Sequence, residues 1–286
     1  MSESKRAKAK RHAGPFILLV FLALVAVFPL LYTVTNSFMS TAEISRYYGQ
    51  IAQPGGHTLF HLLPDVPSLD GYYQILLRRP DYLVKFWNSI LLSGCIVAGQ
   101  VVISCLAGYA FSRFRFPGKE TVFFVLIILM MMPYQVTLVS NYIVLDKMKL
   151  IGSYASVILP AVFSPFGVFL MRQVFDNIPK ALIEAAQLDG AHPVQILTRI
   201  AVPMSRSGIA ALVILSFIDS WNMVEQPLIF LKSRLSYPLS IFLVQINSSN
   251  LQLGFACGVL AMLPAALLFL LFESELVEGI SIASLK

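Results

Sequence analysis

Six apolar runs, each close to 20 residues long, divide this 286-residue chain and constrain its fold more than any other feature. A hydrocarbon layer about 30 Å thick is crossed by about 20 apolar residues in a helix. The runs fall near residues 16–37, 88–111, 121–145, 154–174, 207–226 and 251–272. Inside that layer each backbone N–H and C=O must be satisfied within the protein, and a helix does so within one segment. The expected fold class is therefore an all-α membrane protein with six transmembrane helices. Hydrophobic residues make up 57% of the chain and charged ones 13%, against roughly 25% charge in soluble domains. Pro133, Pro160, Pro165 and Pro264 lie within the runs. Spans tolerate proline where neighbouring helices satisfy the freed carbonyls.

Charge sets the expected orientation. "KRAKAKRH" (residues 5–12) precedes the first run, with no Ala-x-Ala-type cleavage site after it. A cleaved leader also has a shorter apolar region, so this run is expected to stay as a span with its N-terminus in the cytoplasm. On that topology 13 of the 21 Lys and Arg residues fall in inside segments and 8 in outside ones, as the positive-inside rule requires. The net charge of +6 is then the basic bias of cytoplasmic loops, and "KRAKAKR" is an orientation signal, with no nucleic-acid partner expected. The expected divisions are a cytoplasmic tail (1–14), the first transmembrane helix (15–38), an extracytoplasmic loop (39–86), a five-helix core (87–274) with a cytoplasmic loop at 177–203, and a cytoplasmic C-terminal tail (275–286). Within 39–86, "PGG" and "PDVPSLDG" are turn signals. "YPLSIFLVQI" (237–246) reads as a short outward-facing or re-entrant helix, followed by the polar turn "NSSN".

Few residues carry chemistry. Cys95, Cys105 and Cys257 all sit in apolar runs and lack metal spacing, so they read as packing residues. His12, His57, His61 and His192 are scattered, and no metal site is expected. "PGKE" (117–120) lacks the spacing of a phosphate-binding loop, so the chain has no usual means of binding ATP. Asp219 and Glu225 are read as interfacial acids beside Trp221 in preference to a proton or cation relay. Gln135, Asn141 and Asn222 have two open readings: the lining of a sugar path, or hydrogen bonds between helices.

The stretch "EAAQLDGAHPVQILTRIAVP" (184–203) breaks the apolar pattern. Pro179 suits a first helical turn, and 181–188 are nearly all strong helix formers. Gly190 fits the position just past a helix, where a left-handed conformation is wanted. Pro193 then opens a second helix, with Val194, Leu197 and Ala201 as one apolar stripe and Ile200 beside it. Ala185 and Ala186 leave room for a partner backbone, and Glu184 and Asp189 offer carboxylates. So short a helix is unstable alone in water and needs a surface to dock on.

These residues resemble the EAA loop of ABC importer permeases: Glu-Ala-Ala, three residues, Gly, nine residues, Ile-x-Leu-Pro. Glu184, Ala185, Ala186, Gly190, Ile200 and Pro203 stand at those spacings, with Val202 in place of Leu. "GYAFSRFRFPGK" (108–119), "DSWNMVEQPLIF" (219–230) and "LVEGISIASLK" (276–286) are similar to segments of the carbohydrate branch, the maltose-transporter-type permeases. The tail departs from that branch in lacking a second glycine before Lys286 and in carrying acids at Glu275 and Glu278. The resemblance implies a type I ABC importer permease fold that pairs with a second permease, as a heterodimer. It implies two ATPase subunits holding ATP and Mg, an extracytoplasmic solute-binding protein, a sugar substrate, and a multi-pass place in the bacterial plasma membrane. This chain would bind no cofactor and catalyse nothing. Glu184, Ala185, Ala186, Asp189, Gly190, Ile200 and Pro203 would couple to the ATPase, and Tyr237, Ser248 and Asn250 would lie where the binding protein docks. Permeases for polyamines, phosphonates or glycerol phosphate share the loop and are same-class alternatives. A membrane-embedded enzyme would need an intramembrane catalytic constellation, and a secondary transporter would more often show paired repeats. Neither feature is present in the sequence.

Overall fold

The computed structural model describes residues 3–48, 61–247 and 251–275. In chain order its helices are α1 (Glu3–Asn36), α2 (Thr41–Tyr48), α3 (Asp70–Tyr73), α4 (Pro80–Arg113), α5 (Lys119–Met131), α6 (Tyr134–Lys147), α7 (Tyr154–Val162) and α8 (Pro165–Asp176). There follow α9 (Lys180–Leu188), α10 (Pro193–Ile196), α11 (Val202–Met204), α12 (Arg206–Trp221), α13 (Glu225–Phe230), α14 (Leu239–Asn247) and α15 (Leu251–Leu271). Single π turns occupy Gln74–Arg78 and Leu197–Ala201. The chain divides into two compact units, residues 1–80 with 243–262, and residues 81–242 with 263–286.

Four stretches are long and apolar enough to cross a membrane: Gly14–Asn36, Pro80–Arg113, Tyr154–Asp176 and Leu251–Leu271. Two more are bent pairs. α5 and α6 meet at 104°, and the helical stretch Pro193–Met204 meets α12 at 81°. The expected continuous runs at 121–145 and 207–226 are therefore revised. Pro133 is extended, with ψ 136°, and stops the α5 ladder at Met132. The fifth run ends at Trp221, because α13 is a separate short helix that begins at Glu225. The stretch 39–86, expected as a loop, holds α2, α3 and the first turns of α4.

In the first unit the apolar length of α1, residues 16–31, is exposed. Polar residues just past it are buried and paired. The Tyr48 hydroxyl donates to Asn36 Oδ1 at 2.7 Å, and the Gln252 amide donates to the Met39 carbonyl at 3.3 Å. Ser40 and Glu43 form a capping box at the start of α2: the Glu43 amide donates to Ser40 Oγ at 3.3 Å, and the Ser40 amide donates to Glu43 Oε2 at 2.9 Å. The other oxygen, Oε1, accepts from the amides of Asp65 at 2.7 Å and Val66 at 3.2 Å. One carboxylate thus holds a helix start and a loop more than 20 residues away. The expected turn "PGG" at 54–56 lies outside the described residues.

The second unit is built on close helix contacts at small residues. Helices in a bilayer gain from such contacts because their backbones approach and pack. A Cβ on Gly108 of α4 would stand 2.7 Å from Met171 Cβ and 2.9 Å from the Arg172 backbone nitrogen of α8. On Gly167 of α8 it would meet Ser104 Oγ, and on Gly208 of α12 it would meet the side chain of Val174 of α8. Thus α8 is gripped between α4 and α12. Around that grip lies one buried cluster, including Cys105, Tyr109, Met171, Phe175, Ile183, Ile196 and Leu212. Cys105 and Cys257 are both buried, whereas Cys95 is exposed.

The Gly108 contact gives a first prediction. The neighbours are backbone atoms and a Cβ fixed to them, which cannot swing away, so Gly108→Ala should cost about 1–3 kcal/mol of overpacking. Size-exclusion analysis of the heated detergent-purified protein should show a lower melting point than wild type. Gly94→Ala, where an added Cβ meets nothing, should melt as wild type does. A second prediction concerns Glu43. Burial alone would raise its pKa, but the amides of Ser40, Val66 and Asp65 and the Ser40 hydroxyl outweigh it and hold the carboxyl below its ordinary 4.5. A lowered folded value means that these bonds stabilise the loop above the ordinary pKa and that the benefit is lost as pH falls through the folded one. Glu43→Gln should therefore melt earlier than wild type at about pH 7, with the gap closing as the pH falls below 4.5 and through the lowered folded value.

Candidate functional site

Residues 177–204 leave the end of the bundle and return as two short helices. Only residues 177–179 separate α8 from α9. Pro179 stands just before the first turn, with ψ 128°, and not within it. α9 buries Ile183 and leaves Ala186 half-buried. Glu184, Ala185, Gln187 and Asp189 are exposed, and Leu188 is 90% exposed. Glu184 and Asp189 make no ion pair among the described residues. The outward face of α9 therefore carries the unpaired Asp189 carboxylate, an alanine and an exposed leucine, with the unpaired Glu184 carboxylate at its edge.

Gly190 ends the helix at φ +83°. The Ala191 amide donates to the Ala186 carbonyl at 2.9 Å, and the Gly190 amide donates to the Gln187 carbonyl at 3.0 Å. These are the two bonds of a Schellman turn, which needs a left-handed residue at this position. A Cβ on Gly190 would meet nothing within 4 Å, so the demand is purely conformational. The chain then restarts at α10, where the His192 amide donates to Gln195 Oε1 at 2.9 Å. Ile196, Leu197 and Ala201 are buried and Ile200 is half-buried. Val194 was expected in this stripe but is 64% exposed, because it lies in the first turn beyond the reach of the bundle. Pro203 is exposed in α11, next to the bend into α12.

The root of this excursion is held by arginines that sequence reasoning passed over. Arg113, the last residue of α4, donates from Nη2 to the Phe175 carbonyl and to the Ile178 carbonyl at 2.8 Å. Phe175 is in the last turn of α8 and Ile178 lies just past its end, where helix carbonyls begin to run out of helical partners. Nearby, Arg172 Nη2 donates to Glu120 at 3.1 Å, and its Nε lies 3.7 Å from Asp176 Oδ2. The Ser112 hydroxyl donates to Asp176 Oδ1 at 2.6 Å. The Arg172 guanidinium also lies 3.8 Å from the centre of the Phe123 ring. α4, α5 and α8 are thus tied together at the point where α9 departs. The i,i+4 pair Arg172–Asp176 was visible as a helical spacing. The reach of Arg113 across 62 residues was not.

Residues 100–277 match the family model described as the inner membrane component of binding-protein-dependent transport systems. The chain belongs to this family. Within it, the chain is 30% identical over 269 residues to an arabinooligosaccharide transport system permease of Halalkalibacterium halodurans, covering 93% of each. A permease of the same name from Bacillus subtilis is 29% identical, again over 93% of each chain. The sn-glycerol-3-phosphate transport system permease of Brucella abortus is 28% identical, over 93% of this chain and 94% of that one. Among solved structures, a bacterial ABC transporter involved in import of the acidic polysaccharide alginate matches with TM-score 0.77 at 20% identity, over 96% of this chain and 98% of its own. A bacterial alginate ABC transporter in complex with an alginate pentasaccharide-bound periplasmic protein matches at 0.65 and 14%, over 95% and 96%. The fold is that of an ABC importer permease, and the chain is a multi-pass inner-membrane transport component.

Within this permease fold, the remaining candidate residues are dispersed. Gln135 starts the second half of the bent α5–α6 pair and donates to the Glu225 carboxylate at 3.1–3.2 Å. Asn222 spends its amide on the Ile218 carbonyl of its own helix, at 2.9 Å. Asn141 is half-buried on α6. No hydrogen bond among the described residues joins the three amides. Asp219 and Glu225 are both exposed, one on the last turn of α12 and one at the start of α13. Tyr237 is half-buried against the Leu92 and Phe230 cluster, and its carbonyl accepts from Asn88 at 3.2 Å. Ser248 and Asn250 lie outside the described residues, as does the tail 276–286. Among the described residues no group of His, Cys, Asp and Glu could hold a metal ion. His61 faces Asp65 at 3.2 Å and stacks on Tyr47.

Proposed function

We propose that this chain is the permease subunit of an ATP-driven sugar importer, in which α9 is the coupling helix that enters a cleft on a partner ATPase. The observation that carries the docking role is the outward face of α9. A nine-residue helix is too short to hold itself together in water. It is anchored on one side by Ile183 and on the other presents Ala185, Leu188 and Asp189 to a surface outside this chain, with Glu184 exposed at the edge between the two sides. The permease forms half of a pore with a second, non-identical permease. Two ATPase subunits carry ATP and Mg, and a solute-binding protein delivers the sugar from outside. On this reading both termini and α9 are cytoplasmic, and the permease itself catalyses nothing. Closure of the ATPase pair moves α9 as a rigid lever and reorients the bent helices.

The sugar class is supported by the arabinooligosaccharide permeases among the relatives and by the likeness to an alginate importer. Import of glycerol phosphate is the second reading, supported by the Brucella relative at 28% identity.

Two variants test the docking role. Gly190→Val forces a β-branched residue into a left-handed conformation, at a cost of about 1–2 kcal/mol. Glu184→Lys reverses a charge at the edge of the presented face. Both should insert in the membrane and pair with the second permease, yet co-purify with less ATPase or hydrolyse ATP without uptake. Gly190→Asn should keep function, because Asn tolerates this conformation. Normal ATPase attachment and normal uptake in both variants would reduce the stretch to a connector. Uptake of labelled oligosaccharides and of glycerol 3-phosphate by cells bearing the complete transporter decides between the two substrate readings.

A further inference from the structure

A cleft of about 260 Å³ opens between the end of α4 and the inner side of α9. Four cations line it: Arg113, Arg115, Lys119 and Lys180. One carboxylate, Glu184, lines it with them. None of the four cations forms an ion pair among the described residues. Arg113 already gives Nη2 to two carbonyls, and its Nε is buried without a partner. Lys180 stands in the first turn of α9, which has no side-chain cap, so unpaired amides and the positive end of the helix dipole add to the field. Four cations against one carboxylate leave an excess of positive charge in a concave site, which calls for an anion.

We propose that this cleft binds the phosphate of an anionic phospholipid. Its place in the fold supplies the lipid. The cleft sits where the apolar span α4 ends and α5 begins, so on the six-span topology it falls at the headgroup layer. Phe114, on its wall, is 45% exposed, and Phe116 beside it is 39% exposed. Aromatic side chains favour that interfacial layer. A phosphate there bridges the α4 end (Arg113, Arg115) to the first turn of α9 (Lys180), and so fastens the short helix on a side that Ile183 alone would hold.

Native mass spectrometry of the complete transporter, purified with a mixture of phosphatidylglycerol and phosphatidylcholine, tests this. A basic residue near an anionic surface contributes about five-fold in binding, so Arg115→Gln with Lys180→Gln should weaken retention of one phosphatidylglycerol roughly 25-fold. Arg115→Lys with Lys180→Arg keeps the charge and should retain it, which separates lost charge from lost folding. Excess inorganic phosphate should leave the lipid in place. Three results would overturn the proposal: equal retention by wild type and the Gln double variant, no preference over phosphatidylcholine, or displacement by inorganic phosphate, which marks a free-anion site. Retention only after the ATPase subunits are stripped away would overturn it too, because an acidic partner surface would then fill the cleft.

Discussion

The structure at the end of the bundle hangs on one guanidinium. Arg113 closes α4 and donates to the carbonyls of Phe175 and Ile178, on either side of the point where α8 gives way to α9. Hydrogen bonds from a charged group are worth about 1.5–3 kcal/mol each, roughly twice a neutral one. The Phe175 carbonyl also accepts from the Ile178 amide at 3.1 Å, so the guanidinium adds a charged donor to a helix end packed against apolar side chains. Without the clamp, the three-residue link from α8 to α9 is held by the burial of Ile178 and Ile183 alone. With it, the direction of α9 follows the direction of α4.

Packing below the clamp makes that coupling stiff. The Gly108 contact lets the backbones of α4 and α8 meet, and Tyr109 and Phe175 stack edge to face at 5.8 Å just beneath the arginine. The same buried cluster takes in Ile183 from α9 and Ile196 and Leu197 beyond the glycine turn. α9 is therefore joined to the spans by apolar burial on one side and left bare on the other. That asymmetry suits a part that must be rigid toward its own subunit and complementary to another.

Much of this was legible in the sequence, for definite reasons. Apolar length fixed where α1, α4 and α15 lie, because no other structure satisfies the backbone in hydrocarbon. The glycine turn at 190 was legible because a single residue type suits a left-handed helix end. Breaks within spans were not. Pro133 ends a helix while Pro264 sits inside α15, and nothing local distinguishes them. The stripe at 194–201 was misread at Val194, since periodicity names a face but not how far the bundle extends beneath it. The arginine clamp was hidden because its partners are carbonyls, which every residue carries. The proposed sugar path gained no support from proximity, as Gln135, Asn141 and Asn222 turn to separate partners, Glu225, Tyr134 and the Ile218 carbonyl.

If α4, α8 and α9 form one body, the distance between α4 and α9 is fixed through the transport cycle. Spin labels at Leu106, exposed on α4, and at Leu188, exposed on α9, read it directly by pulsed electron resonance in the assembled transporter. The expected result is one narrow distance, the same without nucleotide and with ATP trapped, which broadens in Arg113→Ala. A shift between the two states by about 5 Å, one helical turn, would contradict the rigid lever and leave α9 moving on its own hinge.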